Sequence, residues 1–178
     1  MRRLNGILAI TILIVFIVHG VLGALNMMEI TAFFNKIIPR ILICLIGLHA
    51  AVSTGYTIHS LRVAKRTNAP YFKENRLFWA RRISGFLIIA LILFHVTAFG
   101  AYDSGVFRLV PFDLYRLIAQ LLFLTTVAVH IISNVKPALI TLGVRKLKQK
   151  AGNILFFISA LLLFMTAAFI LYYVKWQM

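Results

Sequence analysis

Arg81-Arg82-Ile83-Ser84-Gly85-Phe86-Leu87-Ile88-Ile89-Ala90-Leu91-Ile92-Leu93-Phe94-His95-Val96 opens on two cations, steps through a small polar pair and continues as an apolar run closed by a histidine. A bilayer core is crossed by about 20 apolar residues in a helix, and the run from Ile83 to Ala101 has that length. Four further runs share its character, so the chain reads as five spans at roughly 4–26, 38–61, 83–101, 114–135 and 152–174. At 62% hydrophobic residues and a mean hydropathy of +0.95, it exceeds the apolar share of soluble domains, which is about half. The expected fold is all-α, an integral membrane bundle of five transmembrane helices forming one domain over residues 1–178. No long polar stretch among these 178 residues supplies a second, water-soluble domain.

There are 19 Lys and Arg against 4 Asp and Glu. A net charge of +15 is of a size that suits nucleic acid, but its placement argues for topology instead. Arg2 and Arg3 precede the first span. Arg62, Lys65, Arg66, Lys73, Arg76, Arg81 and Arg82 fill the second connection. Lys136, Arg145, Lys146, Lys148 and Lys150 fill the fourth. The opposite side carries only Lys36, Arg40, Arg108, Arg116 and Lys175. The positive-inside rule then puts the N-terminus in the cytoplasm and the C-terminus outside a cell membrane. The same basic surface suits lipid headgroups or a docked cytoplasmic protein; no nucleic-acid partner is expected. Met1-Arg2-Arg3 before an apolar run also looks like a secretory signal. The run is long for one, and Val21-Leu22-Gly23-Ala24 is a mediocre cleavage site, so the segment is read as a retained helix. The single cysteine, Cys44, falls mid-span and reads as a small packing residue.

Four histidines lie inside the spans, and ionisable groups in hydrocarbon are rare enough to be functional candidates by default. They follow an internal repeat. Arg2-Arg3-Leu4-Asn5-Gly6 opens the first span, with His19 thirteen residues after the glycine; Arg81-Arg82-Ile83-Ser84-Gly85 opens the third, with His95 ten residues after it. The next span of each half carries His49 and His130. Such parallel repeats are related by an axis along the membrane normal, which brings equivalent residues to equal depth. At 1.5 Å per residue, His19 lies about 24 Å from Arg3 and His95 about 20 Å from Arg82, so these two pair toward the outer face. His130 lies about 9 Å from Lys136, whereas His49 lies about 20 Å and His59 about 5 Å from Arg62. Spacing alone leaves both His49 and His59 open as partners of His130. Paired imidazoles suit axial ligation of haem iron. A single membrane histidine is equally well explained by an interhelical hydrogen bond, worth about 0.6 kcal/mol; four in repeat order are not. No Cys-x-x-Cys-His is present, so covalent c-type attachment is excluded.

Arg40 and Arg116 at outer helix ends, and Arg82 and Lys136 at inner ends, are candidate partners for haem propionates or simply interfacial cations. Gly6, Gly55 and Gly85 suit either close approach of a flat ligand or helix packing. Ser53, Thr54, Ser84 and Thr97 suit bonds to histidine, to propionate or to their own backbone. Glu29, Asp103 and Asp113 are the outer acids; a proton-accepting role there competes with plain solvation.

The Arg81–Val96 run resembles the R-x-[ST]-G…H segment of succinate dehydrogenase and fumarate reductase cytochrome b subunits. Arg3-Leu4…His19, Leu48-His49-Ala50 and Val129-His130-Ile131-Ile132-Ser133-Asn134 are similar to the first, second and fourth helices of the five-helix, two-haem anchors of that superfamily. The resemblance covers residues 1 to 172. It implies two haem b groups, with His19 and His95 on the outer iron and His49 and His130 on the inner one, favouring His49 over His59. It also implies menaquinone or ubiquinone as substrate, and flavoprotein and iron–sulfur subunits docked on the cytoplasmic side. The chain would then be an electron-transfer subunit, not catalytic alone. It is short for that family, and Ala128 stands two positions before His130, where some quinol-oxidising members carry Glu. Two other readings stay open: a cytochrome b quinol oxidase module serving a different reductase, and a haem-free transporter or assembly factor with structural histidines.

Overall fold

The structure is a computed structural model that describes residues 2–31, 36–67, 76–103 and 106–178; for residues 2, 101–103, 106–108, 147 and 148 it describes the backbone only. Lys73 therefore lies outside the described residues, and nothing is said of the side chains of Arg2, Asp103, Arg108 and Lys148. Five helices are long and apolar enough to cross a membrane: α1 Arg2–Met27, α2 Ile37–Arg66, α3 Arg76–Thr97, α4 Leu114–Thr141 and α5 Leu147–Gln177. The fold is all-α apart from a two-stranded antiparallel ribbon, β1 Gly100–Asp103 and β2 Val106–Leu109, that joins α3 to α4. Large apolar side chains point outward, among them Leu93, Phe156 and Leu163. Such faces need lipid rather than water around them.

The helix ends differ from those expected from hydropathy, for identifiable reasons. The third span was expected to end at residue 101; α3 stops at Thr97 because the chain turns there into the ribbon. It begins at Arg76, not 83, since the preceding basic and aromatic residues are also helical: Phe78 is buried and the Arg82 guanidinium lies 4.8 Å over its ring. The fourth helix runs past the expected end at 135 and through Pro137 to Thr141. Proline removes one helical N–H, and near the helix end this loss is small. Asp113 caps α4, its carboxylate accepting from the Arg116 backbone N–H at 2.8 Å. Both α1 and α4 close with the Schellman pattern of crossed bonds. Ile30 N–H donates to Leu25 O and Glu29 N–H to Asn26 O; in α4, Val144 donates to Leu139 O and Gly143 to Ile140 O. The left-handed residue is Gly143 in one and Glu29 in the other (φ 71° and 58°). Glu29 is held by an ion pair with Lys175 on α5.

α4 is the central helix, packed against α3, α5 and α1; α5 also packs on α1, and α1 on α2. The buried residues Ile158, Leu161, Met165, Ala168 and Phe169 of α5 recur at helical spacing. Of these, Leu161, Met165 and Phe169 join Leu117 and Leu124 of α4, with Phe112 and Ala98, in one apolar core at the ribbon end. The helix expected to seal the bundle does so along α1 and α4. On the other side α2 and α3 do not pack closely together. Burial follows this division: 33% of the most apolar stretch of α4 and of α5 is buried, but only 11% in α1 and α3 and 6% in α2. α2 and α3 thus turn most of their surface away from the rest of the chain. Cys44, expected to pack, is exposed on α2.

The depth mismatch of His49 has a structural cause. Ser53, one turn after His49, donates to Asn5 Oδ1 at the start of α1 (3.0 Å). The thirteen residues from Ser53 to Arg66 therefore run on for about 20 Å past the start of α1, and Arg62 is a poor marker of the membrane edge.

Replacing Gly143 by Ala puts a Cβ on a left-handed residue, which costs about 1 kcal/mol. The expected outcome is a modest fall in thermal stability in detergent, with the histidine sites unaffected; an unchanged or raised melting point contradicts the assigned helix terminus.

Candidate functional site

One histidine pair forms in the bundle, and two further histidines, His49 and His130, are electrostatically coupled. At the ribbon end, the His19 and His95 rings from α1 and α3 face each other with centroids 6.1 Å apart and planes crossed at 79°. Two imidazoles sharing one metal at about 2 Å each hold their ring centres about 6 Å apart, so this pair has the separation that a single axial site needs. His95 is packed by Phe123 (5.0 Å between centroids) and Phe99 (5.7 Å). From Phe99 the packing continues through Phe112, Phe169 and Tyr172. This aromatic wall keeps the ribbon end of the site apolar.

The residue that orients His95 is Gln120, one helix away on α4. Its Oε1 lies 2.7 Å from His95 Nδ1, and the side chain is fully buried. A carboxamide oxygen only accepts, so Nδ1 carries the proton and the lone pair of Nε2 is left free. This is the arrangement by which second-shell groups prepare a histidine for a metal.

At the basic end the contact is with a hydroxyl. The Ser84 Oγ lies 3.0 Å from His130 Nδ1 and 3.2 Å from the Arg81 carbonyl, so this hydroxyl ties the His130 ring to α3. Gly85 gives the ring its seat: a Cβ there would stand 3.4 Å from His130 Cε1. Ser84 and Gly85 of the Arg-x-Ser-Gly step on α3 thus serve the histidine of α4. Ser133 and Asn134 both donate to the His130 carbonyl (3.1 and 2.7 Å), which accounts for the polar pair after it.

His49 is the histidine within electrostatic reach of His130, and Arg82 lies within reach of both. His59, the rival by spacing, is exposed. His49 Nδ1 is buried without a hydrogen-bond partner, and so is Gln120 Nε2. Buried polar atoms are rarely left so unless a group outside the chain completes them.

The remaining candidates divide. Arg82 joins the His49–His130 site. Arg116 is committed to Asp113 (3.8 Å) and to the Pro111 carbonyl, and lines a cleft of about 220 Å³ with Phe94, Thr97, Asp113, Tyr115 and Gln120. Arg40 is exposed. Ser53 links α2 to α1, Thr97 bonds its own helix at Leu93 O, and a Cβ on Gly55 would meet nothing within 4 Å. Gly6 packs on Thr141 of α4, a helix contact. Among the described residues no three His, Cys, Asp or Glu side chains converge. Compared with known protein families, with curated proteins and with solved structures, the chain gives no match.

Gly85→Val should displace the His130 ring, because a branched side chain cannot occupy a space where the Cβ alone already stands 3.4 Å from Cε1. The expected outcome is loss of whatever the His49–His130 pair binds while the His19–His95 pair keeps its own. His130→Ala and His49→Ala should share that phenotype, and His19→Ala and His95→Ala the complementary one, each read as one spectral component lost. If His59→Ala, not His49→Ala, matches His130→Ala, the pairing is wrong.

Proposed function

We propose that this chain is a dihaem cytochrome b membrane anchor of the succinate dehydrogenase and fumarate reductase type. It relays electrons between a membrane quinone and a flavoprotein and iron–sulfur partner at its basic end. The observation that carries the reading is the meeting of His19 and His95, 6.1 Å between ring centres, with His95 Nδ1 held by the Gln120 carboxamide oxygen. The polar contact of Ser84 with His130, to which His49 is electrostatically coupled, supports it as well, as does the motif resemblance.

Bound haem would supply one-electron redox chemistry. The chain's own residues do the rest. His19 and His95 hold one iron and His49 and His130 the other. Gln120 fixes the orientation and tautomer of His95, and Ser84 ties the His130 ring to α3. Arg82 offsets negative charge at the His49–His130 site. In the cleft at the ribbon end, Gln120 and Tyr115 offer hydrogen bonds to a quinone head, and the Asp113 carboxylate is placed to take a proton from a quinol. The basic end, with Arg62, Lys65, Arg66, Arg76, Lys136 and Lys150, faces the cytoplasm and binds an acidic protein surface or anionic lipid.

Protein isolated from its native membrane should contain two haem b per chain by pyridine haemochrome assay. Absence of haem overturns the reading in favour of a structural role for the histidines, as in a transporter or assembly factor. Neutralising Lys65, Arg66, Lys73 and Arg76 together should release the co-purifying redox subunits in a salt-dependent manner and leave both haems bound. If the partner instead occupies the ribbon end, the chain serves a different reductase.

A further inference from the structure

Gln120 is fully buried in a helix otherwise rich in Leu, Phe and Val, and its two polar atoms are used differently. Oε1 accepts from His95 at 2.7 Å; Nε2 has no partner and belongs to a side chain that lines the cleft with Asp113, Tyr115 and Arg116. An amide buried at the cost of one unpaired N–H is not explained by packing, since Met or Leu fills the same volume without that cost.

We infer that Gln120 is a positioning residue that sets the tautomer of His95 and lowers the reduction potential of the metal centre His95 serves. This inference rests on the dihaem reading. An imidazole whose N–H is held by a strong acceptor is a better electron donor through its other nitrogen, and a more basic ligand favours the oxidised iron. At the other site His130 Nδ1 meets a hydroxyl, that of Ser84 at 3.0 Å, so the carboxamide acceptor is particular to the His19–His95 centre.

The test is a redox titration of the intact complex, following each b component by absorbance in wild type, Q120M and Q120E. Q120M removes the acceptor and keeps the volume. The component that His95→Ala abolishes should shift upward in Q120M while the other stays in place. Q120E retains an oxygen acceptor and should leave that component at or below its wild-type potential. Loss of that component in Q120M alone, with Q120E at or below wild type, also supports the inference. An upward shift in both variants, no shift in Q120M, a shift of the other component instead, or loss of the component in both variants overturns it and leaves Gln120 a packing residue. Absence of haem in the wild-type complex is a separate result, which overturns the underlying functional reading.

Discussion

Imidazole rings inside an apolar bundle impose the constraint on which the rest of this structure depends. Each ring brings two nitrogens out of water, and a buried polar atom without a partner is costly. Here one nitrogen of His95 is taken up by Gln120 and one of His130 by Ser84. The bonds cross from helix to helix, α3 to α4 in both cases, so they fix the register of the central helix pair as well as the rings. α3 and α4 are accordingly closely packed, while α2 is tied on mainly through α1. The bundle is firmest where these bonds cross between α3 and α4.

The two sites are built from unlike materials. The ribbon-end pair sits against an aromatic wall from Phe99, Phe112, Phe123 and Tyr172, with an amide as its hydrogen-bond acceptor. The basic-end pair sits beside a glycine, a serine and an arginine. A repeat that duplicates the histidines while diverging in its surroundings thus gives two inequivalent settings from one sequence pattern.

The number of spans and the pairing of His19 with His95 were legible because hydropathy and histidine position act over long stretches that local structure does not disturb. The helix ends were not. Pro137 was expected to lie past the fourth helix, yet the helix carries it; the ribbon at Gly100–Leu109 cut the third span short; and α2 runs on beyond Arg62, which spoiled the depth of His49. Ser84 was legible only as an ambiguous hydroxyl, and it serves His130 and the Arg81 carbonyl together. Gln120 was missed altogether. Its signal was present, an amide inside Leu117-Ile118-Ala119-Gln120-Leu121-Leu122-Phe123, but nothing in a linear sequence shows that this position meets a histidine 25 residues earlier. Cys44 misled in the other direction, because mid-span position does not say which side of a helix faces the neighbours.

The central claim is that histidine pairs, not isolated histidines, form the working sites. The most direct measurement is electron paramagnetic resonance of the oxidised protein as isolated in its complex. Two low-spin ferric signals of bis-imidazole type are expected. The rings of His19 and His95 cross at 79°, and nearly perpendicular ligand planes leave the two iron d orbitals that interact with them almost equal in energy, so the signal lost in His19→Ala and His95→Ala should be strongly anisotropic. A high-spin signal, or a single low-spin centre that survives loss of either His19 or His95, would contradict the account.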